Sequence, residues 1–453
     1  ASFRNLSFPR RRSFQSIHGG GMEQGLISVD RWGEASQAYF LTHLHADHTR
    51  GLSARWARGP LFCSPVSARL FPSKFPGFDL SLLRVLDVGV PRPLTLASPT
   101  TGSEVSIRVT AIDACHCPGS VMYLFQGDLG CVLYTGDFRW ESSDERAWLG
   151  KKALLSALGG DGVDVLYLDN TFCNPSFDFP PREIAAQQVV DIIISHPDHD
   201  IVIGIDTLGK EELLVQVSKA VNTKVWVWPE RLQTMDLLGF DHVFTTKTQV
   251  TRVRAIPRYS FTIATLMALN SLQPTIGIMP SGLPWALKSS GNDSSVDLSL
   301  RSYNSGESIN ISSEQDKKKL KNPESCHHYI YPVPYSTHSC YNEIREFIKL
   351  VRPSKVTGIV SSSFCYINPR HFFGCLSTAT QPCDGSSTNL ARNVVGNVGG
   401  IQSVSAVRHE FCNKERRNKG RTKIIARSIV RRSRVSLLRR GNCGVKIAEA
   451  DHS

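Results

Sequence analysis

The chain has 453 residues, 41% of them hydrophobic and 20% charged, which is enough for two or three domains, or one large domain with an insertion, and is not the composition of a disordered chain. No run approaches the ~18 consecutive apolar residues of a membrane-spanning helix, so no membrane association is expected. Twelve cysteines without a CxxC pair are not a disulfide scaffold, and with no secretory signal a reducing compartment is expected. The formal charge of +12 lies at the ends. Residues 1–21 hold four arginines and no acid, residues 361–453 hold sixteen Lys/Arg against five Asp/Glu, and 22–360 hold thirty-two basic against thirty-five acidic residues. The central body is mildly acidic, so the pI says nothing about its binding face.

In chain order, the Arg- and Ser-rich segment 1–21 ends in three glycines before Met22. It reads either as an organelle transit peptide or as an untranslated leader with Met22 as the true start. Short strands come next, at Leu26–Val29, Ala38–Leu41, Pro60–Cys63, Val105–Ile112, Val121–Phe125, Cys131–Tyr134 and Val163–Leu168. After them lies a section of alternating helices and strands. A helix opens at Pro181-Arg182-Glu183, Ile201–Ile205 is a β-branched strand, Lys210–Ala220 is an amphipathic helix and Lys224–Trp228 is a strand. The polar stretch 288–321 reads as a mobile loop. Strand Tyr329–Val333, helix Tyr341–Val351 and strand Val356–Val360 complete the patterned part. Residues 366–453 are basic and read as mostly irregular.

The sharpest signal is Thr42-His43-Leu44-His45-Ala46-Asp47-His48, directly after an apolar strand. Imidazole and carboxylate suit zinc and its first-row neighbours. His43 and His45, two apart at a strand end, can point the same way, and Asp47 and His48 can face a second ion. One segment cannot complete two coordination spheres, so distant ligands are expected. His116 and Asp137 each come after a strand and are the candidates, with Asp30 a weaker case of the same kind.

Asp30, the 43–48 cluster, His116 and Asp137 together resemble the successive motifs of the metallo-β-lactamase fold. That resemblance implies an α/β fold, an αββα sandwich with metals at the strand ends. It places one ion on His43, His45 and His116 and a second on Asp47 and His48, with Asp137 bridging and Asp30 orienting ligands from behind. Leu166–Thr171, Asp206–Glu211, Pro334–Ser339 and Lys355–Val360 narrow the likeness to the β-CASP group of nucleic-acid nucleases, and within it to the DNA cross-link repair nucleases. The match runs from about Leu26 to Cys365.

The likeness implies a domain plan. The first part of the metallo-β-lactamase domain spans 22–180, an inserted α/β β-CASP domain 181–328, and the return to the first domain 329–365. By the same resemblance, Asp169 and His338 stand at the first two motifs of the group, and Val360 at the third. RNA-processing relatives carry His at that third place, so Val360 points to DNA and to a weaker second metal. Gly358 departs from the proline expected there.

The catalytic set implied by the resemblance is then Asp47, Asp137, Asp169 and His338, with His338 as general acid and Asp169 supporting it. Lys210, Ser281 and Ser336 are candidates for a 5′-phosphate pocket. Phe138, Trp140, Phe172 and Phe177 read equally as core or as base-stacking residues. The cofactor is a divalent metal, Zn²⁺ first, with Mn²⁺ or Fe open. The expected activity is 5′-to-3′ exonuclease action on DNA bearing a 5′ phosphate, in cross-link repair or telomere-end processing, with repair or telomere proteins as partners. A structure-specific, hairpin-opening endonuclease and a non-catalytic scaffold are the alternatives. The nucleus is the expected location, with an organelle open through residues 1–21.

Overall fold

The computed structural model describes residues 25–282 except 34, 100 and 241, together with 329–360, 368–374 and 445–447. The leader 1–21, the polar loop 288–321 and nearly all of the basic tail lie outside the described residues.

Two mixed sheets face each other. One has the strand order Val445–Ile447, Gly25–Val29, Ser36–Phe40, Leu61–Cys63, Leu83–Val85. The other runs Lys355–Gly358, Val165–Leu168, Gly130–Tyr134, Val121–Gly127, Glu104–Asp113, Arg92–Ala97. The period-2 alternation of each strand decides which side chain goes where. Ala38 and Phe40 turn inward to meet Tyr123, Phe125, Val132 and Tyr134. Tyr39 and Leu41, one residue out of phase, face Leu70 and Phe71 of the helix Pro65–Lys74. On the second sheet Met122, Leu124 and Leu133 face outward against Leu154 of the helix Glu145–Leu158 and Phe347 of the helix Tyr341–Val351. The layers are therefore α, β, β, α. Phe40 anchors the middle, stacked on Phe62 at 4.9 Å between ring centres and edge-on to Phe125 at 5.1 Å. Such aromatic pairs contribute about 0.5–1.5 kcal/mol each beyond their buried area.

Strands Gly25–Val29 and Ser36–Phe40 are parallel, as are Gly130–Tyr134, Val165–Leu168 and Lys355–Gly358. Glu104–Asp113 shares the direction of Gly130–Tyr134, because each is antiparallel to Val121–Gly127 between them. The segments that leave these strands carry Asp30, His43, His116, Asp137 and Asp169. Thr42 and Val121 tie the two sheets at this edge through a main-chain hydrogen bond of 3.0 Å.

The insertion is a six-stranded parallel sheet, ordered Phe244–Thr245, Val225–Trp226, Val253–Pro257, Asp200–Ile205, Thr275–Pro280, Ile330–Val333. The helices Arg182–Ile194, Glu211–Ala220 and Pro229–Leu238 cover one face, and Ile263–Asn270 packs on the other. Both faces being covered explains why Ile201–Ile205 reads as an unbroken apolar run. One sequence expectation needs correction. Ile330–Val333 is the edge strand of this inserted sheet, so the chain crosses back to the sandwich after Val333 and not before Tyr329. Within the tail, expected to be mostly irregular, the described residues form a short helix Arg370–Phe373 and the strand Val445–Ile447, antiparallel to Gly25–Val29.

Gly358 has a physical reason to stand where proline was expected. A Cβ there would lie 2.7 Å from the Asn170 side chain. That amide accepts from Val360 N at 2.9 Å and donates to Val360 O at 3.2 Å. Gly358→Pro should therefore force Asn170 aside and cost about 1–3 kcal/mol, as overpacking does. An unchanged midpoint in urea denaturation would refute this account.

Candidate metal centre

His43, His45 and His116 meet at one point. His43 Nε2 lies 3.0 Å from His45 Nδ1, which lies 3.0 Å from His116 Nε2. The opposite nitrogen of each ring decides its tautomer. His45 Nε2 lies 2.9 Å from Leu208 O, and His116 Nδ1 lies 2.8 Å from Thr337 O. A carbonyl can only accept, so both of these nitrogens carry the proton. His43 Nδ1 is 3.0 Å from Thr42 Oγ1, whose own proton goes to Asp30 Oδ2 at 2.7 Å. The hydroxyl therefore accepts from His43. All three inward-facing nitrogens are lone pairs, which repel one another unless a cation lies between them.

Protonation favours the same reading. Burial, reinforced by the neighbouring imidazoles His48, His45 and His116, holds the His43 pKa well below its ordinary value. Burial and then His338 do the same for His116, and burial lowers His45. Burial acts against the charge on Asp137, but His48 and His338 outweigh it and keep its carboxyl well below the usual range. Neutral imidazoles and an ionised carboxylate are the forms that bind metal.

Asp137 sits centrally. Its Oδ2 is 3.8 Å from His43 Nε2, 3.6 Å from His116 Nε2 and 3.8 Å from His338 Nε2, while Oδ1 is 3.3 Å from His48 Nε2. Three groups of ligand atoms result, each within 4.8 Å of one another: His43, His45, His116 with Cys117; His43, His48 with Asp137; and His116, Asp137 with His338. Asp47 lies half-buried on the same turn but outside all three groups; its charge acts on His45 and Lys74. Cys117 has no forewarning in the metal-ligand pattern beyond its place next to His116.

The surrounding groups hold this geometry. Asp30 is buried, and its carboxylate accepts from Thr42 N at 2.9 Å and Thr42 Oγ1 at 2.7 Å, with His48 Nδ1 at 2.7 Å. Asp169 Oδ2 lies 2.8 Å from His338 Nδ1, and its Oδ1 accepts from Thr171 N and Oγ1 at 3.0 and 2.6 Å. This turns His338 Nε2 towards Asp137. Arg139, fully buried beside the metal-facing Asp137, donates to Ser336 O at 3.0 Å and to Glu343 at 3.0 Å. It ties the loop of His338 to the start of the helix Tyr341–Val351. Sequence reasoning passed over Arg139, although its place two residues after Asp137 was a visible signal.

The residues expected to hold a 5′ phosphate are each engaged. Lys210 Nζ bonds Asp206 at 2.6 Å, Ser281 Oγ lies 3.4 Å from Arg258 Nη2, and Ser336 Oγ donates to His338 O at 2.8 Å. A cleft of ≈330 Å³ behind the His116 loop is lined by Arg146, Arg182 and Lys210. Each of these cations is matched by a carboxylate, from Asp113, Glu141 and Asp206 respectively. Phe138, Trp140 and Phe172 are buried, so of the four aromatics only Phe177 is partly open, beside Phe179. Val360 is packed in the sandwich core and offers no ligand.

An αββα sandwich with His and Asp ligands converging at one strand edge is the metallo-β-lactamase fold. A family model described as DNA repair metallo-beta-lactamase matches residues 241–364. The chain is similar to the 5′ exonuclease Apollo of Gallus gallus, 38% identical over 344 residues, covering 75% of this chain and 63% of that protein. It is similar to the 5′ exonuclease Apollo of Mus musculus at 37% over 353 residues, covering 77% and 56%. It also resembles the DNA cross-link repair protein SNM1 of Arabidopsis thaliana at 30% over 351 residues, covering 74% and 64%. The chain thus spans less than two thirds of the length of these relatives. Its likeness is thus to the DNA repair branch of the metallo-β-lactamase/β-CASP proteins.

Asp30→Asn would replace an acceptor with a donor facing the protons of Thr42 and His48. Partners behind metal ligands typically account for about 10–100-fold in affinity. A zinc competition titration should show weakening of that order; binding equal to the parent would remove Asp30 from this role.

Proposed function

We propose that this protein is a divalent-metal-dependent DNA phosphodiesterase acting from the 5′ end. The observation that carries the reading is Asp137, one oxygen facing His43 and His116 and the other facing His48. In this reading His43, His45 and His116 hold one ion, zinc by donor type, and His48 with Asp47 holds a second, with Asp137 shared. Bound there, divalent ions supply Lewis-acid polarisation of phosphoryl oxygens and a nucleophile from water at neutral pH.

The side chains do the rest. Asp169 accepts the Nδ1–H of His338, which turns Nε2 towards the reacting end; in the doubly protonated ring the Nε2 proton is the one delivered to the leaving oxygen, and the ring is left neutral with Nδ1–H still on Asp169. Thr42 and Asp30 keep the histidine cluster from rotating. Val360 supports DNA over RNA and a more weakly held second ion, since an apolar residue stands where a further ligand would be. The 5′-exonuclease direction is supported by the relatives named as such. If a 5′ phosphate is bound at Lys210, it replaces the Asp206 carboxylate there, with Ser281 beside Arg258 and with Ser336 contributing through its loop. Cross-link repair or telomere-end processing, in the nucleus and with repair or telomere proteins, is the setting that fits this substrate. Among the described residues no helix is long and apolar enough to cross a membrane.

The test is a time course on 3′-labelled and 5′-labelled single-stranded DNA, with and without a 5′ phosphate. Progressive shortening of the 3′-labelled strand, dependent on the phosphate and lost in Asp47→Ala or with chelator, is expected. His338→Ala should lower kcat by about 10²–10⁴-fold, the usual range for a proton donor. Discrete internal cuts indifferent to the phosphate would instead favour an Artemis-like endonuclease, and silence with every divalent metal would favour a non-catalytic scaffold.

A further inference from the structure

Two of the inward-facing imidazoles are fixed from behind by Thr42 and by the loop that carries His338. His45 is fixed differently, by the carbonyl of Leu208, which belongs to the insertion 163 residues away. Leu208 lies in a short loop that cannot hold its own shape cheaply. Gly209 has φ +103° and the next residue, Lys210, φ +64°, two consecutive residues in the left-handed region. The glycine takes its φ freely, but a lysine in the left-handed region persists only where its surroundings fix it.

What fixes it is Arg231, on the helix Pro229–Leu238. Its guanidinium is fully buried and reaches three groups of the loop. Nη1 donates to Asp206 O at 2.7 Å, and Nη2 donates to Gly209 O at 2.9 Å and to Glu211 Oε1 at 3.0 Å. Glu211 in turn accepts from Gly209 N at 2.8 Å. Both partners of this ion pair are buried, and the guanidinium lies over the Trp228 ring, 5.6 Å from its centre. Buried ion pairs are poor sources of stability compared with apolar packing of the same volume. What the pair adds here is direction: it aims main-chain groups on both sides of Leu208.

We propose that Arg231 is a positioning residue for the metal centre, setting the Asp206–Gly209 loop so that Leu208 O holds the Nε2 proton of His45 and leaves Nδ1 as the ligand. The inference rests on the proposed metal site. It means that the insertion is part of the metal-binding apparatus, so that its correct seating and zinc affinity are coupled.

The experiment uses the full chain and Zn²⁺ itself. Zinc dissociation constants are measured by chelator competition for the parent, Arg231→Lys, Gly209→Ala and His43→Ala. The His45 tautomer is read in the metal-free protein by long-range ¹H–¹⁵N correlation, and thermal unfolding is monitored in parallel. Gly209→Ala leaves the guanidinium in place and distorts the loop directly, which keeps the test open if Arg231→Lys does not fold. Expected are zinc binding weakened about 10–100-fold in both variants and a His45 signal moving from pure Nε2–H towards a mixture of tautomers. Lower thermal stability with the zinc constant and the His45 tautomer unchanged would overturn the proposal while leaving the metal reading intact. A parent chain that binds no zinc, or binds it equally well as His43→Ala, would overturn the metal reading itself and the proposal with it.

Discussion

Three imidazole lone pairs aimed at one point are the constraint around which the rest of the structure is organised. His43 and His116 each bring an unprotonated nitrogen to 3.0 Å from that of His45 only because each opposite nitrogen is held by an acceptor. Without those acceptors each ring would flip or change tautomer and relieve the repulsion. The acceptors are Thr42 Oγ1, Leu208 O and Thr337 O, drawn from the first sandwich segment, the insertion and the segment that returns after it. A chain interrupted by a whole inserted sheet is thereby drawn to a single locus.

This explains the uneven legibility of the sequence. His43, His45 and His48 crowd into one turn after a short apolar strand, so ligand chemistry and strand end could be read together. Asp137 and His116 come after strands in the same way, and so do Asp30 and Asp169, which stand behind His48 and His338. The backbone carbonyls of Leu208 and Thr337 carry no residue signature, and a sequence cannot announce them. Nor could it announce that Lys210 has Asp206 four residues away as a partner, which makes a lysine at a helix start a paired cation. Periodicity makes the alternating helices and strands of the insertion readable, whereas the αββα order comes with the family likeness. Assigning Ile330–Val333 to the inserted sheet was beyond either, because a four-residue strand fits either sheet until its partner is known.

Val360 shows how one position links packing to chemistry. Its side chain belongs to the core with Ile359, Val165 and Tyr134, and its main chain is clasped by the Asn170 amide. Asn170 adjoins Asp169, whose carboxylate lies 2.8 Å from His338 Nδ1. The main chain at Val360 and the orientation of His338 are thus connected through the adjacent residues Asp169 and Asn170.

Arg139 and Arg231 are the same device used twice. Each is a fully buried guanidinium held by glutamate, Arg139 by Glu343 with Glu141 at 3.7 Å and Arg231 by Glu211, and each also donates to carbonyls of a loop that serves the centre. Arg139 fixes the loop carrying His338, and Arg231 fixes the loop behind His45. The ligands that come early in the chain are held differently, by the short-range set Asp30, Thr42 and His48. Local contacts suffice where the ligands share one segment. Where a contribution arrives from a distant segment, a fork of several donors anchored by a carboxylate can fix several carbonyls at once, which neither a lysine nor an apolar side chain can do. The centre is complete only when both loops are seated, so its competence reports on the docking of the insertion as well as on the sandwich.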